Sequence, residues 1–181
     1  AWGWSFRDDI DPWQVDASVP PSLGPSTRLR MDWWEGSPQP GSLRVEVPFF
    51  GARQSVRVAV APTMPADLRG QTLVARVRLD AGLGADVRSL GGAKLFVKSG
   101  RGYVLAEGEW VNLRPGRGWV RLYLPIDHPP GWVQEPSDAG TFDPSDIRLV
   151  GVSFETGSDP SATWLPGVIR VDTIELLEPI Q

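Results

Sequence analysis

Apolar and polar residues alternate with a period of two through most of the chain. Leu43-Arg44-Val45-Glu46-Val47 and Val56-Arg57-Val58-Ala59-Val60 set aliphatic side chains against the intervening positions. Leu73, Ala75, Val77 and Leu79 share one face opposite Arg76 and Arg78, and Leu95 and Val97 oppose Lys94, Phe96 and Lys98. Val120, Leu122 and Leu124 oppose Trp119, Arg121 and Tyr123, while Val150, Val152 and Phe154 oppose Gly151, Ser153 and Glu155. Successive side chains of a strand point to opposite faces, so each run predicts a half-buried β-strand. The closing run, Val168 to Leu177, is apolar at Ile169, Val171, Ile174 and Leu176. That order breaks phase once and predicts a bulge near Asp172. Glycine and proline punctuate the runs at Gly82-Leu83-Gly84, Gly91-Gly92, Gly100-Arg101-Gly102, Pro115-Gly116 and Pro129-Pro130-Gly131. These read as turns. No segment sustains a helical apolar stripe, and only Ala66 to Gly70 and Asp143 to Asp146 read as single helical turns. The pattern predicts an all-β antiparallel sandwich or barrel, one domain over residues 1–181.

Composition narrows the chemistry. The chain has 181 residues, no cysteine and one histidine, His128, so disulfides, thiolate nucleophiles and paired-imidazole sites are excluded. A net charge of −4 argues against nucleic acid as the main partner. No apolar run approaches the roughly 18 residues of a membrane helix. The opening Ala1-Trp2-Gly3-Trp4 has no basic stretch and apolar core, which predicts a mature form or an excised domain. Nine tryptophans are several times the usual share. Trp offers a flat apolar face with a polar N–H, although most tryptophans of a sandwich are core residues.

The positions opposite the aliphatic runs combine Arg76, Arg78, Lys94, Phe96, Lys98, Trp119, Arg121, Tyr123, Ser153 and Glu155. Sugars present an apolar face of C–H groups and a rim of hydroxyls, which aromatic platforms with polar neighbours match. The alternative is a solvated sheet covered by Arg stems, with Phe96 and Tyr123 packed beneath loops. Among the outward charges, five basic residues stand against Glu155, a pattern that suits a ligand bearing carboxylates, such as a uronate polymer, unless they act as hydroxyl donors to a neutral glycan or pair with loop acids such as Asp80 or Glu107. Catalytic constellations are not supported. His128 lies in a turn, no Gly-x-Ser-x-Gly elbow exists, and Glu107, Glu109 and Glu155 are the carboxylates placed best for glycoside chemistry. Glu107-Gly108-Glu109-Trp110 reads first as a hairpin turn.

Several segments in sequence order resemble the jelly-roll carbohydrate-binding modules of bacterial polysaccharide hydrolases, of the galactose-binding-domain-like group. They are Pro65-Ala66-Asp67-Leu68-Arg69-Gly70, Ala93-Lys94-Leu95-Phe96-Val97-Lys98, Trp110-Val111-Asn112-Leu113 and Gly118-Trp119-Val120-Arg121-Leu122-Tyr123-Leu124. Phe142-Asp143-Pro144-Ser145-Asp146-Ile147-Arg148-Leu149-Val150-Gly151-Val152 and Val171-Asp172-Thr173-Ile174-Glu175-Leu176 complete the series, over roughly residues 43–178. The resemblance implies a two-sheet antiparallel β-sandwich (jelly roll) and a structural calcium, with Asp172 and Asp8 as candidate ligands. The family's Phe-Glu start is replaced here by Phe6-Arg7, and arginine cannot ligate calcium. Asp32-Trp33-Trp34-Glu35-Gly36 departs from the family pattern and reads as a plug at one end of the sandwich, or else as a rim contact for a glycan.

The resemblance and the outward face together predict non-catalytic binding of a plant-type or other structural polysaccharide in a groove on one sheet. Trp110, Tyr123 and Phe96 are the stacking candidates, and Arg76, Arg78, Lys94, Lys98, Arg121 and Glu155 the polar ones. The implied setting is secreted, beside an attached hydrolase, with neither nucleic acid nor membrane as partner. The alternative from another class is a structural or adhesive sandwich whose aromatics anchor a protein interface. A small glycosidase or lyase using Glu109 or Glu155 ranks third.

Overall fold

The computed structural model describes residues 3–4, 13–16, 23–36, 41–85 and 91–177. Among the described residues twelve strands follow in order: β1 (Gly3–Trp4), β2 (Gln14–Asp16), β3 (Arg28–Asp32), β4 (Ser42–Val47), β5 (Ser55–Val60) and β6 (Thr72–Gly84). Then come β7 (Gly92–Ser99), β8 (Val104–Glu107), β9 (Val111–Asn112), β10 (Val120–Pro125), β11 (Ile147–Glu155) and β12 (Trp164–Leu176). Among the described residues the only helical element is a 3-10 turn, Gly24–Ser26. The alternating runs therefore form strands as predicted, and the short β1, β2 and β3 add to them.

Among the described residues two six-stranded sheets result, and every strand pairing there is antiparallel. Sheet I has the order β10-β6-β12-β4-β3, with β1 on β12; sheet II has the order β2-β5-β11-β7-β8, with β9 on β7. The aliphatic positions face inward and pack one sheet on the other. Val45, Leu73, Val77, Leu122, Ile169 and Val171 of sheet I join one buried cluster with Val56, Val58, Leu95, Val97, Val152 and Phe154 of sheet II. This is the two-sheet antiparallel β-sandwich expected from the pattern.

The bulge expected near Asp172 is present. The pairing of β12 with β6 shifts register between Asp172 and Glu175, where Thr173 has φ 47. The extra residue returns Ile174 to the core after Val171. The hairpin read at Glu107 to Trp110 is corrected. Both β8 and β9 pair with β7, so Gly108-Glu109-Trp110 is an interruption in a continuous edge. The amide of Gly108 still donates to the carbonyl of Leu95 at 2.8 Å, which keeps the broken edge on β7.

Candidate functional site

The outward residues do not collect on one face, and the expectation of a single groove lined by all of them is corrected. Arg76, Arg78, Arg121 and Tyr123 lie on β6 and β10 of sheet I. Lys94, Phe96, Lys98 and Glu155 lie on β7 and β11 of sheet II, with Trp110 beside β9 at the edge of the same sheet. Alternation tells which side chains leave the core but not which outer face receives them.

On sheet II, Asp16, Arg57, Ser153 and Lys94 stand in one cross-strand row, and Gln14, Ala59, Gly151, Phe96 and Glu107 in the next. Lys94 Nζ pairs with both Glu107 and Glu155, at 3.3 Å for Glu155. Arg57 Nη2 donates to Glu107 Oε1 at 3.4 Å, and Ser153 Oγ donates to Glu155 Oε1 at 3.2 Å. Lys98 pairs with Asp16 at 2.8 Å. Phe96 is fully buried beneath Arg57, whose guanidinium lies 5.2 Å from the ring centroid, and it packs with Ala59 and Leu105. The structure therefore gives Phe96 no free face for stacking. Its ring occupies space left by Gly151, where an added Cβ would meet the Phe96 ring at 2.7 Å.

At one end of this row a pocket of about 580 Å³ opens between Arg53, Gln54, Trp110, Glu155, Thr156 and Ser158. Its walls are tied together. Gln54 Oε1 accepts from the amides of Phe50 at 2.9 Å and Gly51 at 3.0 Å, and the Gln54 amide donates to Thr156 Oγ1 at 2.8 Å. Thr156 Oγ1 in turn donates to the carbonyl of Gly51 at 2.8 Å. Trp110 Nε1 donates to Asn112 Oδ1 at 2.8 Å, and its ring lies against Gly92, where an added Cβ would come 2.9 Å from the indole. The half-buried indole is thus held in one plane. Phe50 lies on the loop that Gln54 binds, 77% exposed, while its neighbour Phe49 is fully buried. Sequence reasoning missed Phe50, Gln54 and Thr156. The available signal was the Phe49-Phe50 pair before Gly51, since an extended pair cannot bury both rings on one side.

The outer face of sheet I is an ion-pair lattice. Arg30, Arg44, Arg170 and Arg78 form one cross-strand row over β3, β4, β12 and β6. Like charges side by side repel, and acids interleave to offset this. Arg170 pairs with Asp32 and Asp80, Arg78 with Asp80 at 2.7 Å and Glu35 at 3.0 Å, and Arg44 with Glu46 at 3.0 Å. Arg76 pairs with Glu175 at 3.3 Å. The expected excess of positive charge is thereby corrected: of the five basic residues counted, only Arg121 has no acidic partner among the described residues. Tyr123, 41% exposed, shares the edge strand with Arg121.

Burial opposes ionisation of Asp32, but the amides of Trp34 and Glu35 and the Arg170 guanidinium outweigh it and hold the carboxyl below its ordinary value. Asp80 is lowered likewise, burial being outweighed by Arg78 and Arg170. Depressed carboxylates contribute stability that is fully present above the unfolded value of about 3.9 and is lost as pH falls through the lower folded values. Thermal unfolding is accordingly expected to hold steady, as far as these two groups set it, from pH 7 to about 5 and to decline below about 4. Asp80→Asn should flatten part of that decline in a series of melting curves; an unchanged slope would remove Asp80 as its source.

Asp172 is buried on β12, and the Thr173 hydroxyl donates to its Oδ1 at 3.1 Å. Asp8 lies outside the described residues. Among the described residues no three metal-ligating side chains gather, so the donor set required for a calcium ion is not assembled around Asp172 there. The paired tryptophans depart from the plug reading: Trp33 is 56% and Trp34 87% exposed.

The order of the strands, the two packed antiparallel sheets and the phase-breaking bulge make this the jelly-roll fold of carbohydrate-binding modules. The chain is similar to the family 11 module of the cellulosomal cellulase Lic26A-Cel5E of Clostridium thermocellum, with TM-score 0.61 and 9% identity over 99% of this chain and 95% of that one. It is similar to a xylan-binding domain of family 22, with TM-score 0.54 and 11% identity over 99% and 96% of the two chains. A family 28 module described as specific for non-crystalline cellulose aligns with TM-score 0.58 and 10% identity over 96% and 92%. At such identities the likeness shows the fold. No protein-family model matches the chain, and no curated protein matches it in sequence.

Proposed function

We propose that this protein is a non-catalytic module that binds a structural polysaccharide at the pocket on the edge of sheet II, and that it serves, outside the cell, to hold an attached hydrolase on its substrate. The observation that carries this reading is a fixed indole, Trp110, in a pocket that also offers Glu155, Arg53 and Ser158, with the exposed ring of Phe50 on the loop that the pocket residue Gln54 holds. The rings supply apolar surface for a pyranose face, and the polar groups bracket its hydroxyls with both donors and acceptors. Glu155 Oε1 is already bound to Lys94 and Ser153, which orients Oε2 as an acceptor. The fold shared with modules that include a family 11 module in complex with a β-1,3-1,4-mixed-linked tetrasaccharide supports the same class of ligand.

The test is affinity electrophoresis against mixed-linkage glucan, xylan, glucomannan, agarose and pectin. Wild type should be retarded by at least one neutral polymer. The double variant Phe50→Ala/Trp110→Ala should lose at least tenfold in affinity, about 1.4 kcal/mol. Because a neutral polymer carries no charge for the basic residues to attract, raising salt to ~0.5 M, where screening acts within about 4 Å, should leave retention nearly flat. Retardation by pectin alone, collapsing with salt, would overturn the neutral-ligand assignment. A blank panel would favour a structural or adhesive sandwich instead.

A further inference from the structure

We propose that the outer face of sheet I carries a second binding site for a neutral polysaccharide chain, built on the Trp33–Trp34 turn and separate from the pocket on sheet II. The turn is a fixed object. Asp32 Oδ1 accepts from the amides of Trp34 at 3.0 Å and Glu35 at 3.2 Å, while its Oδ2 pairs with Arg170. Two residues on, Glu35 reaches over the face to Arg78 at 3.0 Å. Both ends of the Trp pair are therefore pinned to the arginine lattice. Arg78 also stacks on Trp119, 5.0 Å from the ring centroid, so the lattice ties the turn and a third indole to the same end of the sheet.

An adjacent exposed Trp pair is costly to leave in water, and a pinned one has no freedom to fold away. Its preorganisation lowers the ordering entropy that a ligand would otherwise have to overcome on binding. The chemistry of the surrounding face selects the occupant. Seven arginines (28, 30, 44, 76, 78, 121 and 170) meet six acids (Asp32, Glu35, Glu46, Asp80, Asp172 and Glu175), so the face is nearly neutral. A nucleic acid or an anionic lipid surface needs a basic excess. Hydroxyls, which both donate and accept, suit a lattice that alternates guanidinium donors with carboxylate acceptors. Arg30 and Arg121 make no ion pair among the described residues and flank the lattice on its two outer strands. Strands at about 4.8 Å spacing place those edge strands about 19 Å apart, room for several sugar units.

The experiment pairs Trp33→Ala/Trp34→Ala with Phe50→Ala/Trp110→Ala, using a neutral polymer that retards wild type and a tetrasaccharide cut from it. Trp33→Ala/Trp34→Ala should keep the wild-type melting temperature and lose at least fivefold in polymer affinity. Its tetrasaccharide titration should drop from two binding sites per chain to one. Trp34→Phe should restore most of the loss. If Trp33→Ala/Trp34→Ala binds polymer like wild type while Phe50→Ala/Trp110→Ala does not, the second site is overturned and the first stands. The reverse pattern overturns the pocket and leaves the sheet I site. Loss of a concentration-dependent dimer on removing the indoles would make a second copy of the chain the occupant, and would overturn the glycan assignment. A wild type that no polymer retards overturns both.

Discussion

Arg170→Ala should destabilise the protein by about 3 kcal/mol, the scale of breaking a buried ion pair from one side. Arg170 has a side chain only 7% exposed and serves two carboxylates, Asp32 and Asp80, of which neither is more than a quarter exposed. Removing the guanidinium leaves Asp80 with Arg78 but leaves Asp32 with only the amides of its own turn. It also leaves a gap between Arg44 and Arg78 in the cross-strand row. For a chain of this size the melting temperature should fall by about 6–12 °C. Arg170→Lys should recover part of the loss, since a lysine keeps the charge but cannot fork between two carboxylates. The fluorescence of Trp33 and Trp34 should shift in parallel, because Asp32 loses the contact that anchors their turn. A melting temperature within 2 °C of wild type would mean that water already satisfies both carboxylates.

The strands were legible because a period of two is imposed by the backbone alone, and each long run from Leu43 onward appears as a strand. The bulge at Asp172 was legible for the same reason, as a phase error with no other remedy. What alternation cannot carry is the assignment of strands to sheets. Arg76 on β6 and Lys94 on β7 look equivalent in sequence, yet β6 pairs with β10 and β12, and β7 with β8, β9 and β11. That choice is made by pairings between segments far apart in the chain, and it sends the two residues to opposite sides of the molecule. The short β3 escaped notice because Arg28-Leu29-Arg30-Met31-Asp32 carries only two apolar positions, both half-buried at the edge of sheet I. The ion pairs were illegible on other grounds. Lys94 could be counted as a free cation only until Glu107, from the neighbouring β8, was placed diagonally across from it. Phe96 had read as a platform, and whether an outward aromatic is covered depends on what lies across the strand, here Arg57 and a residue without a side chain.

Gly151 is that residue, and Gly151→Ala should destabilise the protein by about 3 kcal/mol, at the upper end of the usual range for over-packing. The position lies mid-sheet between Ala59 of β5 and Phe96 of β7, and its backbone needs no unusual dihedral. The constraint is space. A Cβ there would lie 2.2 Å from the carbonyl oxygen of Val58 and 2.7 Å from the Phe96 ring. The ring can swing outward, but only by lifting Arg57 off its face and stretching the 3.4 Å contact between Arg57 and Glu107. The carbonyl belongs to the ladder itself and can move only with its strand. The two clashes can be separated by a double-mutant cycle with Phe96→Ala. If ring displacement dominates, the double variant should be more stable than the sum of the single losses predicts, by about 1 kcal/mol. If the Val58 carbonyl dominates, the losses should add. Phe96→Ala alone should leave polysaccharide retention at the Trp110 pocket nearly unchanged, because its buried ring supports the face from beneath and offers nothing to stack on. A tenfold loss of retention in Phe96→Ala without a matching fall in stability would instead mean that the ring swings out to meet the ligand.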